Sequence, residues 1–161
     1  MGRYLITRHV AASPDRVFRA FTDPPVLVDW LDGTAVSDVS GDLQQAGSCY
    51  TLVIRGPWRF KVAVVRSEPP WLHETVHEGP LGTRVRMLAR LAPLDGRTEL
   101  ELLTEYAMPL GALGRWIDRR WIDRGPRATA NREVDRLVEL VTAGSTPPSR
   151  PTVAADGPPG A

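Results

Sequence analysis

The stretch "TRVRMLARLAPLDGRTELELLTEYA", residues 83–107, constrains the fold more than any other part of the chain. Asp95-Gly96 at its centre is the dipeptide preferred in two-residue hairpin turns, where both central residues need a positive φ. Pairing outward from Leu94 and Arg97 sets Arg90 against Glu101, Leu88 against Leu103 and Arg86 against Glu105. The same register sets Leu91, Ala89, Met87 and Val85 against Leu100, Leu102, Thr104 and Tyr106. One face is charge-paired and the other is mostly apolar, as a sheet with a single core face requires.

The remaining elements follow from local signals. "RYLITRHV" is short and β-branched and reads as a strand. In "AASPDRVFRAFTD", Ser13 can cap a helix, Pro14 suits its first position and Asp15 favours the positive end of its dipole. Val17, Phe18 and Phe21 give it an apolar stripe, and Asp23-Pro24-Pro25 ends it. A second short helix, "PVLVDWL", closes at Asp32-Gly33. "SCYTLVIR" and "WRFKVAVVR", separated by Gly56-Pro57, read as strands. "GALGRWIDRRWIDRGPRATANREVDRLVELVTAG" reads as a long helix with a kink or break at Gly125-Pro126. Its repeated WIDR does not place Trp116 and Trp121 on one face, because five residues turn a helix by about 140° beyond a full turn. Leu113, Ile117 and Trp121 do share a face, and Ala130, Val134, Leu137 and Val141 form a core stripe past the break.

Residues 73–77, His-Glu-Thr-Val-His, match H-E-x-x-H, which on a helix brings two imidazoles to one zinc ion. Here Pro69-Pro70 and Gly79-Pro80-Leu81-Gly82 bracket the motif, leaving a strand's length between breakers. In a strand the two histidines share a face but stand roughly 13 Å apart at ~3.3 Å per residue. Zinc–nitrogen bonds of about 2 Å cannot span that gap, so no metal site is expected. Pro80 suits the second position of a type I turn, with Gly82 left-handed after it. That three-residue loop pairs Glu78 with Arg84 outside, and His77, Thr75 and His73 with Val85, Met87 and Ala89 inside. A four-residue loop would turn both histidines outward; the inward register is the one expected.

The chain has 161 residues, 42% hydrophobic and 24% charged, which suits one domain over residues 1–143. Residues 144–161, rich in Pro and Gly, read as a disordered tail. Formal charge is +1, so no global field gathers nucleic acid or anionic membrane. Arginines of the final helix, Arg115 to Arg136, alternate with Asp118, Asp123, Glu133 and Asp135 and read as a solvated face, so no nucleic-acid partner is expected. A single cysteine, Cys49, excludes an internal disulfide and cysteine-rich zinc sites. With no signal-like N-terminus and no apolar run of membrane length, the expectation is a cytoplasmic protein without a membrane span.

The order strand, two short helices, antiparallel strands and long C-terminal helix resembles the START-like or SRPBCC superfamily of lipid carriers, plant hormone and allergen proteins, and polyketide cyclases/dehydrases. The residues that carry the likeness are "AASPDRVFRAFTDP" with Asp29-Trp30, "EPPWLHETVHEGPLG" (68–82), "DGRTELELLTEYAMPLG" (95–111) and "GALGRW" (111–116). The resemblance implies an α+β helix-grip fold, a curved antiparallel sheet wrapped around the final helix with an elongated cavity between them.

On that fold the expected cavity lining is Met87, Ala89, Leu102, Thr104 and Tyr106 from the hairpin, and Trp71, His73, Thr75 and His77 from the neighbouring strand. Leu113, Ile117 and Trp121 would form the helix wall, with Trp30 near the mouth. Apolar bulk with a few polar groups is the composition of a small-molecule site, so a hydrophobic ligand, polyketide-like or lipid-like, is the expected partner, with no cofactor. The enzymatic alternative is a polyketide aromatase/cyclase or dehydratase, with His73 or His77 as base and Tyr106 or Thr104 as donor. Ligand identity and oligomeric state are left open by the sequence.

Overall fold

The computed structural model describes residues 2–31, 35–54, 58–107 and 125–143. Its elements are β1 (Gly2–Val10), α1 (Pro14–Thr22), α2 (Pro24–Trp30), β2 (Ala35–Ser40), β3 (Cys49–Ile54), β4 (Trp58–Glu68), β5 (Leu72–Glu78), a 3₁₀ turn (Pro80–Gly82), β6 (Arg84–Leu94), β7 (Arg97–Ala107) and α3 (Gly125–Ala143). The strands form one antiparallel sheet in the order β1-β7-β6-β5-β4-β3-β2, the helix-grip α+β arrangement. No described helix is long and apolar enough to cross a membrane.

The hairpin of β6 and β7 has the expected register, from Leu94 opposite Arg97 to Arg84 opposite Ala107. Asp95 and Gly96 take φ of 45° and 75°, the two left-handed residues of a primed turn. Outside, Arg86 donates to Glu74 at 2.7 Å and to Glu105 at 3.2 Å, so the charge pairing extends across three strands.

Helix α1 starts where its cap chemistry requires. The Ser13 hydroxyl accepts from the Arg16 amide, and Pro14 occupies the first turn. Val17, Phe18 and Phe21 face the sheet and are buried. The Trp30 indole at the end of α2 donates to the Ala20 carbonyl at 2.7 Å and meets Phe21 edge-on, which locks the two short helices together. Helix α3 is held against β1 by Arg8, which donates to Asp135 and to Asn131, both at 2.9 Å. Ala130, Val134, Leu137 and Val141 are buried, as their spacing predicts.

Residues 72–78 form a strand, as the flanking breakers predict. Its turn into β6 differs in one detail from the expected type I geometry. Gly82 is left-handed at φ 73°, but Leu81 is too, at φ 57°. Closing the loop with Gly79 N–H donating to Thr83 O and Thr83 N–H donating to Pro80 O demands this reversal. A left-handed non-glycine residue costs about 1–2 kcal/mol. The Pro80–Gly82 turn still produces the inward register, with His77, Thr75 and His73 opposite Val85, Met87 and Ala89. Strand β2, for which the sequence carries no clear signal, is the edge element missing from the expected set. The expected breaks at Asp32-Gly33 and Gly56-Pro57 and the tail lie outside the described residues, and α3 as described begins at the Gly125-Pro126 position.

Candidate functional site

Antiparallel pairing makes rows of side chains across the inner face of the sheet. One row is Ser67, His73, Ala89, Leu102 and Ile6; the next is Val64, Thr75, Met87, Thr104 and Tyr4; the third is Val62, His77, Val85, Tyr106 and Gly2. Helix α1 covers the first row, where Phe18 meets the His73 ring edge-on at 5.8 Å. Over the middle row lies a cavity of about 190 Å³, roofed by Trp30 and Leu27 of α2 and by Ala130, Glu133 and Val134 of α3. Its far side is lined by Tyr50 and Leu52 of β3 and Phe60 of β4.

Of the residues expected to line a cavity, Trp30, His73, Thr75, His77, Met87, Leu102 and Thr104 do so. Three others are placed differently. Trp71 precedes β5 and is 47% exposed, because the turn at Glu68–Trp71 ends the strand alternation before it. Ala89 is buried in the core, away from the lining. The Tyr106 ring is buried over Gly2, whose missing side chain leaves the space the ring fills, so its hydroxyl does not line the cavity. Leu113, Ile117 and Trp121 lie outside the described residues.

Several lining residues escaped the sequence reading. Tyr4 reaches the cavity through the pairing of β1 with β7, opposite Thr104. Glu133 stands three residues after Ala130 on the core stripe of α3, a charge at an apolar position that periodicity could have exposed. Tyr50 and Phe60 belong to strands whose register no turn signal fixed.

The polar groups of the site differ in how they are satisfied. Thr75 Oγ1 and His77 Nε2 share a hydrogen bond of 2.9 Å. Both ring nitrogens of His73 are buried without a hydrogen-bond partner among the described residues, although the residue is only 4% exposed. Burial lowers His73 from the ordinary 6.5 to about 4. It lowers His77 to about 4 as well, with the neighbouring His73 adding to the effect. Both imidazoles are therefore neutral near pH 7 and can each donate one hydrogen bond and accept one. Burial raises the Tyr4 hydroxyl, against a hydrogen bond from Thr104, while the Glu133 charge adds to the rise. Tyr50 is raised by burial alone. The tyrosines stay protonated, leaving Glu133 as the ionisable carboxyl among the described lining residues. No group of three or more His, Cys, Asp or Glu converges on a common point among the described residues, and the strand geometry separates His73 from His77.

A family model described as polyketide cyclase/dehydrase and lipid transport matches residues 1–142. Among solved structures, a Mesorhizobium loti protein, MLL2253, is similar over 90% of this chain and 100% of its own, at 16% identity and a TM-score of 0.70. A Thermus thermophilus protein is similar over 90% and 100%, at 19% identity and a TM-score of 0.69. A Rhodobacter sphaeroides protein is similar over 88% and 92%, at 22% identity and a TM-score of 0.68. At these identities the likeness shows the shared fold. No curated protein matches the chain.

Proposed function

The chain belongs to the polyketide cyclase/dehydrase and lipid transport family, and from that premise we propose that it binds a hydrophobic small molecule, polyketide-like or lipid-like, in the cavity between the sheet and the C-terminal helix. The observation that carries this reading is the cavity itself. Its walls are mostly apolar and aromatic, with a few polar side chains brought together by β5 and β7, as ligand pockets are built. Trp30 lines it, so a ligand in contact with the indole should change the protein's fluorescence.

The test is to titrate the protein with linear and aromatic polyketides and fatty acids, follow tryptophan emission, and recover each ligand for mass spectrometry. Saturable change with the ligand recovered intact supports a carrier or sequestering role. Met87→Trp, which fills the middle row, should abolish it; unchanged binding of every ligand in that variant would refute the cavity as the site.

A second reading, a polyketide aromatase/cyclase or dehydratase, rests on His73. A neutral imidazole with no hydrogen-bond partner among the described residues could take a proton from a carbon acid beside it and hand it on. The burial that frees it also makes it a weak base, which is why binding ranks first. An isomerised or dehydrated product that disappears in His73→Ala and His77→Ala would establish the enzyme.

A further inference from the structure

One polar group of the cavity is left over once the others are accounted for. Among the described lining residues, the Trp30 indole donates to Ala20, Thr75 shares its hydrogen bond with His77, and Tyr4 is bonded to Thr104 and feels the charge of Glu133. The ring nitrogens of His73 are sealed from open space. Tyr50 differs from all of these. Its hydroxyl makes no hydrogen bond with any described residue, and burial is the one cause that raises its pKa. Among the described residues the buried side-chain atoms that are both sealed and without a partner belong to Ser67, His73 and Thr142, and Tyr50 Oη is not one of them. An unpartnered hydroxyl that is not sealed opens onto space. For a side chain that lines the cavity and is only 6% exposed, that space is the cavity.

The chemistry of that hydroxyl and of its neighbours names the group it would meet. Burial keeps the phenol protonated near neutral pH, so it is a donor that lacks an acceptor. Buried polar groups are nearly always hydrogen-bonded, which makes an open one a place for a ligand atom. On the inner face Leu52 lies two residues along β3 from Tyr50, and Val62 and Phe60 stand opposite the two of them on β4. None of the three carries an acceptor. A ligand hydroxyl bonded to Tyr50 would find no acceptor among them for its own proton, whereas a carbonyl oxygen needs donors alone.

We propose that Tyr50 positions the ligand by donating to its carbonyl oxygen, so that the cavity takes a ketone on an otherwise apolar body with that oxygen turned towards β3. This rests on the reading of the cavity as a ligand site.

The experiment compares the protein with Tyr50→Phe, using acetophenone and α-methylstyrene, which has the same shape with CH₂ in place of the carbonyl oxygen. In calorimetric titration near neutral pH, Tyr50→Phe should weaken acetophenone about fivefold, the net worth of one neutral hydrogen bond, and leave α-methylstyrene unchanged. The carbonyl stretching band of bound ¹³C-labelled acetophenone should lie at lower wavenumber in the protein than in Tyr50→Phe, because a hydrogen bond weakens the C=O bond. The melting temperature without ligand should not fall in Tyr50→Phe, since the hydroxyl removed has no partner in the fold. A melting temperature that drops as for a lost hydrogen bond would give the hydroxyl to the fold and overturn the inference. Equal effects on the two probes, or a carbonyl band that does not move, would overturn it while the ligand site stands. Binding of neither probe, nor of any polyketide or fatty acid, would remove the ligand site too.

Discussion

The two faces of β5 handle buried polar groups in opposite ways. On the outer face Glu74 is only 9% exposed, yet its carboxylate accepts from Arg86 at 2.7 Å, and Arg86 is shared with Glu105. On the inner face His77 is satisfied by Thr75, and His73, four residues earlier, has no hydrogen-bond partner among the described residues. The same strand thus supplies partners where they serve the sheet and withholds them at one inner position. An unmet hydrogen-bonding group is costly to bury, about 1–3 kcal/mol, so it is kept where something other than the fold makes use of it. The contrast separates His77, which the structure uses as packing, from His73, which the fold alone does not explain.

Acid should break the inner face first. Both histidines hold their protons more weakly in the folded chain than in the unfolded one, where the ordinary value near 6.5 applies. Between about 6.5 and about 4 the unfolded state therefore binds more protons, and stability falls as pH falls through that window. The expected loss is on the order of 3 kcal/mol for each ring, complete below about 4, and urea unfolding at a series of pH values measures it. A flat profile would mean that the two rings are not buried as described.

Next in size is His77→Ala, which leaves a void and strands the Thr75 hydroxyl. It should cost about 2–4 kcal/mol in chemical denaturation. Gly79→Ala has a smaller expected effect, about 1 kcal/mol, because its backbone is ordinary but its new methyl would press on the Phe60 ring. Phe60 lines the cavity, so the displaced ring should weaken ligand binding more visibly than it lowers the melting temperature. His73→Leu should change stability least, within about 1 kcal/mol and in the stabilising direction, since it exchanges an unsatisfied polar group for an apolar one. If His73→Leu proved as damaging as His77→Ala, the distinction between the two positions would collapse.

The parts of this fold that were legible in the sequence are those fixed by turn chemistry. Asp95-Gly96 set the β6–β7 register, and Pro80 with Gly82 set that of β5, so the inward direction of His73, Thr75 and His77 follows from local turn chemistry. The site was less legible wherever a side chain's final direction depends on a distant neighbour. Tyr106 has the right parity for the cavity, but a glycine in a strand 104 residues earlier gives its ring another place to lie. Trp71 shares the parity of His73 and is lost to solvent because the strand starts one residue later. Tyr4 and Glu133 come from β1 and α3, whose contact with the hairpin is tertiary and leaves no local pattern. The bond that satisfies His77 and the absence of one at His73 were likewise invisible, since alternation assigns them the same environment.

Strand β2 carries a consequence of another kind. It is an edge of the sheet, and edges invite strands from other molecules to extend the ladder. Asp38 sits at φ 51° and the pairing with β3 shifts between Ser37 and Ser40, so the outward row of amides and carbonyls is broken midway. An incoming strand could match the ladder on only one side of that break. The irregularity that hid β2 from periodicity is thus also a guard against fibrous self-association, and straightening it with Asp38→Val would turn a quiet border into an adhesive one.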